Sequence, residues 1–132
     1  MSTRARRVLA AAAALVVTAI VLAQEAATPS PYHHPRSAGA LVLMAALAAL
    51  VLAIVPRIRS SAAALGGGVA AGGAIAMLVS ALVWQAGVPD PLVGGDYAFN
   101  LADVAVLLGD VTLLVAAVVH GWDNRRALRR PV

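Results

Sequence analysis

The feature of this sequence that most limits its fold is a series of four long apolar stretches. They cover residues 8–23, 37–55, 62–84 and 100–120. Each is close to the roughly 20 residues with which an α-helix, rising about 1.5 Å per residue, crosses about 30 Å of hydrocarbon. Lipid permits only helices or closed barrels, and these continuous runs lack the alternation of barrel strands. The sequence therefore predicts an all-α integral membrane protein, a four-helix transmembrane bundle forming a single membrane domain over residues 1–132.

The composition agrees with a membrane protein and excludes several kinds of chemistry. Hydrophobic residues make up 61% of the chain, against roughly 45–50% in soluble domains, so the composition argues against a water-soluble globular enzyme. The sequence contains no cysteine, which excludes disulfides, thiolate catalysis, cysteine-ligated metals and lipoprotein acylation. The adjacent His33 and His34 cannot converge on one metal as a helical i, i+4 pair can. We therefore expect no metal site and no cofactor.

The arginines predict how the chain is oriented. All ten basic residues are arginines: Arg4, Arg6, Arg7, Arg36, Arg57, Arg59, Arg125, Arg126, Arg129 and Arg130. Nine of them fall in the N-terminus, the second loop and the C-terminus, whereas the first and third loops hold only Arg36. The positive-inside rule then predicts a multi-pass protein of the inner or plasma membrane with both termini cytoplasmic. Because a folded basic face with base-stacking aromatics is missing, we expect membrane lipid as a partner and no nucleic acid.

Two acidic residues lie inside the fourth apolar stretch. Asp103 and Asp110 are seven residues apart, which places them on one helix face about 10 Å apart along the axis. Ionisable groups are expensive in lipid and often mark function. One hypothesis is therefore a four-helix protein that moves protons or ions through this pair. The alternative is that Asp110 hydrogen-bonds across the bundle, with Thr18 and Thr112 as candidate partners.

The start of the fourth stretch carries the most specific motif, Phe99-Asn100-Leu101-Ala102-Asp103, followed by apolar residues and a glycine. It resembles the FNxAD motif that opens the last helix of the lipoprotein signal peptidases, also called signal peptidase II. That family consists of four-span proteins with both termini inside. The resemblance implies an aspartic intramembrane endopeptidase that cleaves prolipoprotein signal peptides. It also implies that Asp103 is one of two catalytic aspartates, with Asn100 and Phe99 at the binding site.

The second catalytic aspartate of that family has no counterpart here. It comes from a G-N-x-x-D-R motif at the end of the third span, preceded by paired glycines, and its position falls on Ile75 or Ala76. Catalysis needs one carboxylate to take a proton from water and a second, protonated one to polarise the scissile carbonyl. We therefore expect reduced or lost catalysis in a family member that binds a lipoprotein signal peptide or a transmembrane partner helix.

Another acid is the remaining way to complete a dyad. Asp96 lies seven residues before Asp103, beside Gly94 and Gly95, so a fold-back of the loop would rebuild a catalytic pair of Asp96 and Asp103. Asp90 is a weaker candidate. Acids in these loops, Glu25 among them, are otherwise expected to be outside the membrane and solvated.

Two further expectations concern the first and third stretches. The N-terminal arginines, an apolar run, and small residues up to Ala23 also describe a secretory signal peptide. Cleavage after Ala23 would leave three spans, but the family resemblance favours an uncleaved first helix. In the third stretch, Gly68 and Gly72 are four residues apart, a spacing that lets a neighbouring helix approach closely.

Overall fold

The four apolar stretches form four helices in a computed structural model, which describes residues 1–128 and their side chains as far as residue 125. The helices are α1 (Thr3–Ala27), α2 (Ala38–Ile54), α3 (Ser61–Val83) and α4 (Leu101–Leu128). Each is long and apolar enough to cross a membrane. The prediction of a mostly helical chain with four such helices is therefore confirmed. Arg129 and Arg130 lie outside the described residues.

Hydroxyl side chains mark where the first three helices begin. Ser2, Ser37 and Ser60 each accept a hydrogen bond from the backbone N–H three residues ahead, which satisfies one of the free donors of a helix start. At the other end of α2, a 3₁₀ turn (Val55–Arg57) contains Pro56 and reverses the chain towards α3. Arg6 braces this corner, because its buried guanidinium donates to the Pro56 carbonyl at 2.9 Å.

α3 is the central helix, and α1, α2 and α4 all pack on it. Its glycines permit this. A Cβ added to Gly72 would lie 2.7 Å from the Ala14 carbonyl oxygen of α1, and one added to Gly68 would meet the Ala10 carbonyl. One added to Gly73 would lie 2.7 Å from the Ala102 carbonyl oxygen of α4. The predicted close packing at Gly68 and Gly72 is thus confirmed, and α4 is held on α3 in the same way.

Two short antiparallel ribbons cover the end of the bundle where α1 and α3 finish and α2 and α4 begin. β1 (His33–His34) pairs with β2 (Val88–Pro89), and β3 (Leu92–Gly94) pairs with β4 (Tyr97–Phe99). We call this the hairpin end and the opposite end, with Arg57 and Arg59, the arginine end. The predicted first and third loops are thus partly ordered as strands, and residues 24–27, expected in the first loop, belong to α1.

Each end of the bundle has its own apolar core. At the hairpin end, Val21 of α1 meets Ala76 and Met77 of α3 and Ala102 of α4. At the arginine end, Val55 packs with Ala63 and Ala116. Most of these side chains are small, so the bundle is held by close backbone approach as well as by side-chain burial.

Alanine substitutions at Gly72, in the contact of α1 with α3, and at Gly39, which has open space around it, should differ in their effect on stability. Gly72→Ala should lower the free energy of unfolding by about 1–3 kcal/mol, because the new methyl group overlaps the Ala14 carbonyl and Val17. Gly39→Ala is the matched control, since nothing lies within 4 Å of its added Cβ. It should be neutral or stabilising by up to about 1 kcal/mol. Unfolding in mixed micelles measures both, and equal stability of the two variants would contradict the tight contact.

Candidate functional site

A groove runs along α3 between α2 and α4. Its volume is about 460 Å³. Most of its lining is apolar and contributed by Met44, Leu47, Ala48, Val51, Ala70, Ala71, Ala74, Met77 and Val106. Three charged residues complete it, Arg36 from the hairpin end and Asp103 and Asp110 from α4. The motif aspartate that the sequence singled out therefore lines an open groove, together with the second acid of the same helix.

Asp110 is exposed on the groove side of α4. The hydroxyls expected to bond it are engaged elsewhere, because Thr18 donates to the Gly72 carbonyl at 3.0 Å and Thr112 donates to the Leu108 carbonyl at 2.7 Å. Among the described side chains, none forms a hydrogen bond or an ion pair with the Asp110 carboxylate. The expectation that Thr18 or Thr112 would pair with Asp110 is wrong, because backbone carbonyls of the helices take up both hydroxyls.

The Asn100 to Asp103 motif builds the start of α4. The Asn100 Oδ1 accepts from the Asp103 backbone N–H at 3.0 Å, and the Asp103 Oδ2 accepts from the Asn100 backbone N–H at 3.1 Å. This reciprocal pair is a capping box, which satisfies two backbone donors at once. Asn100 is buried, and its side-chain amide also donates to the Pro89 carbonyl at 3.3 Å. The motif thus has a structural role at the start of α4. Asp103 also lines the groove.

The other two predicted site residues lie on the β3–β4 ribbon. Phe99 is half-buried at the end of β4, opposite Leu92 and next to Asn100. Asp96 is exposed in the two-residue turn, and the three residues of β4 lie between it and Asn100, a separation of about 13 Å at roughly 3.3 Å per residue. The structure therefore brings Phe99, Asn100 and Asp103 together and leaves Asp96 at the far end of the ribbon.

A buried polar pair at the hairpin end was not anticipated from the sequence. Glu25 is 2% exposed, and its Oε2 accepts a hydrogen bond from the hydroxyl of the fully buried Ser80. The other carboxylate oxygen, Oε1, has no partner among the described residues. The expectation of a solvated Glu25 is wrong because residue 25 lies on the buried face of α1, which repeats at Ala10, Ala14 and Val21.

Asp90 is the second acid that the fold buries. It is 2% exposed, and its carboxylate bonds the His34 ring Nδ1. Its backbone N–H donates to the Tyr32 carbonyl at 3.0 Å, and its carbonyl accepts from the Ser30 hydroxyl at 2.8 Å. These bonds join the first and third loops across β1 and β2. Asp90 thus connects the two loops inside the protein. The expectation that it is solvated is wrong.

The geometry limits what these acids can do. Glu25 and Ser80 are covered by protein, so they do not face a substrate. Asp103 and Asp110 face the groove, but two turns of one rigid helix, about 10 Å, separate them, which is beyond the reach of a shared proton. The described residues contain no cluster of three histidines or acids that could hold a metal. The groove can therefore bind through apolar contact and charge, without a carboxylate pair in hydrogen-bond reach.

Comparison of the chain with models of known protein families, with curated proteins and with solved structures found no match. The groove and its two carboxylates are therefore the features of this chain that bear most directly on its function.

Proposed function

We propose that this protein is a divergent, signal peptidase II-like protein of the inner or plasma membrane whose groove binds a transmembrane peptide segment, such as a lipoprotein signal peptide, with reduced or lost cleavage. The observation that carries this proposal is the groove itself, which has the motif residue Asp103 in its wall and no second carboxylate in hydrogen-bond reach.

Membrane insertion is supported by the surface of the bundle. Large apolar side chains such as Leu15, Val42 and Leu114 are 66–72% exposed, so hydrocarbon and not water suits the outer face. The arginine end carries Arg57, Arg59 and the N-terminus, whereas the hairpin end carries Arg36 alone. This asymmetry supports cytoplasmic termini. An uncleaved first helix is supported because α1 continues through Ala23 and packs on α3.

The proposed orientation predicts which added cysteines react from outside the cell. The chain has no cysteine of its own, so each single substitution gives a clean signal. Thr28→Cys at the hairpin end should be labelled by a membrane-impermeant maleimide in intact cells, and Ser61→Cys at the arginine end should be labelled only after lysis. Both positions are exposed. The reverse labelling would contradict the proposed orientation.

Peptide binding is supported by the lining of the groove. Ala48, Ala70, Ala71 and Ala74 are small, and small side chains let the backbone of another helix approach closely within a membrane. The groove lies between α2 and α4, each of which packs on α3, so a segment in the same bilayer has lateral access to it. A membrane-embedded peptide is therefore the class of ligand that this site suits.

Reduced catalysis is supported by the positions of the acids. Asp103 already accepts a hydrogen bond from the Asn100 backbone in the capping box. Asp110 lies about 10 Å further along α4, and Asp96 occupies an exposed turn. An aspartic mechanism that needs two cooperating carboxylates would therefore have one at most at this site.

Photo-crosslinking in nanodiscs tests peptide binding. A synthetic lipoprotein signal peptide with a photoreactive residue at its centre should label the groove, and Ala74→Phe should reduce labelling about tenfold or more by filling the groove. A loss of that size corresponds to about 1.4 kcal/mol of binding free energy. The control is Leu15→Phe, because residue 15 is exposed on α1, away from the groove. Equal labelling of both variants and the wild type would show that the peptide binds elsewhere or without specificity.

A further inference from the structure

Asp110 is a charged residue within the apolar part of α4 that has no hydrogen-bond or ion-pair partner among the described residues. It lies nine residues beyond Leu101, about 14 Å along the helix, which is near the middle of a hydrocarbon layer of about 30 Å. Its side chain is exposed and lines the groove. Carboxylates at that depth are costly, and in membrane proteins they normally face a partner or a water-filled cavity.

The chain places no basic residue at this depth of its four apolar helices. Its arginines all fall before residue 8, at positions 36, 57 and 59, or after residue 124, and it has no lysine. His120 is ten residues further along α4 and contacts Asn124. A second copy of the chain would bring the same arginines at the same membrane depths. Neither the protein nor its own dimer therefore supplies a positive charge opposite Asp110.

The charges in the groove follow an order along its length. Arg36 lies at the hairpin end, Asp103 is next at the first turn of α4, and Asp110 is about 10 Å deeper. The walls between them are apolar, and alanines of α3 form the floor. The complementary surface is an apolar helix with a basic side chain at the depth of Asp110.

We propose that the groove binds a transmembrane helix of another protein that carries a lysine or arginine at the bilayer centre, and that this cation pairs with Asp110. The inference rests on the proposed peptide-binding function and names the class of peptide. The small residues of α3 admit the backbone of the partner, and the carboxylate selects its basic side chain. Asp110 is in this view a specificity-determining residue for binding.

Two model peptides in nanodiscs test this inference. Both are leucine–alanine transmembrane helices, identical except for a lysine or a leucine at the centre, and energy transfer to labelled protein measures their affinities. The lysine peptide should bind about tenfold more tightly, as expected for an interhelical polar contact worth about 1–2 kcal/mol in model peptides. Asp110→Asn should abolish that difference. Asp123→Asn is the control, because Asp123 is an exposed acid of the same helix beyond the membrane centre.

The outcomes separate this inference from the function on which it rests. Equal binding of both peptides would overturn the inference and leave peptide binding intact, whereas binding of neither would overturn both. A preference for lysine that persists in Asp110→Asn would also overturn the inference. The inference would likewise be overturned if the chain associates with itself and Asp110→Asn abolishes that association, because the groove would then bind a second copy. Asp110 is exposed and makes no hydrogen bond or ion pair with the described residues, so loss of fold is not expected in Asp110→Asn, and circular dichroism checks this.

Discussion

Ser80→Ala is expected to lower the free energy of unfolding by about 3 kcal/mol. The Ser80 hydroxyl donates a hydrogen bond to the Glu25 carboxylate, whose other oxygen has no hydrogen-bond partner among the described residues, and both residues are buried. Removing this donor takes a hydrogen bond from a buried carboxyl group, which costs more than the bond itself contributes in the native protein. Thermal or detergent-induced unfolding of the purified protein measures the change.

A double substitution tests the cause of that loss. In Glu25→Leu/Ser80→Ala both polar partners are replaced by apolar groups, so much of the lost stability should return, because no buried group is left unpaired. Ser61→Ala is the matched control on the same helix, since Ser61 is exposed, and its effect should stay within about 0.5 kcal/mol. If Ser80→Ala were as stable as Ser61→Ala, Glu25 would not depend on Ser80.

The four helices were predictable from hydropathy, while their ends were not. Gln24 and Glu25 are polar, so hydropathy predicts a loop there, yet α1 continues to Ala27. The helix continues because one face remains buried against α3, and Glu25 on that face accepts a hydrogen bond from Ser80 of α3. The spacing of Ala10, Ala14, Val21 and Glu25 contained this information. Mean hydropathy does not, because it averages over all faces of a helix.

Local features of the site were also present in the sequence. Asn100 followed by Asp103 before an apolar run is the pattern of a capping box. Gly95-Asp96 between two short apolar segments is the pattern of a two-residue hairpin, and Gly95 adopts the left-handed φ of +62° that such a turn requires. This hairpin pattern predicts that Asp96 lies at the end of the ribbon far from Asp103.

Long-range pairs in the same region could not be predicted. The bond between His34 and Asp90 joins residues 56 apart, and the bond between Glu25 and Ser80 joins residues 55 apart. Neither pair has a spacing motif, because its geometry depends on how two loops or two helices meet. The close approach of α1 to α3 at Gly68 and Gly72 is the exception, since small residues at helical spacing permit only a few arrangements.

Expression of this chain is expected to leave prolipoproteins unprocessed in a strain that lacks its lipoprotein signal peptidase. An aspartic mechanism needs a general acid and a general base, and loss of either typically costs 10²–10⁴-fold in rate. Asp103 is the one motif carboxylate in the groove, and the capping box already uses one of its oxygens. Immunoblotting of prolipoprotein and mature lipoprotein, with the native peptidase as the positive control, measures processing.

Two single substitutions test whether any processing depends on a carboxylate pair. Asp103→Asn and Asp96→Asn should give the same unprocessed pattern as the wild type, with the cysteine-labelling pattern confirming that each protein is inserted. If the wild type processes prolipoprotein and both substitutions abolish that processing, the β3–β4 ribbon must fold back to form a catalytic pair. The non-catalytic proposal would then be wrong. Processing lost only in Asp103→Asn would instead assign the second proton transfer to another acid. Asp110 would then have to approach Asp103 across two helical turns, which a continuous α4 does not allow.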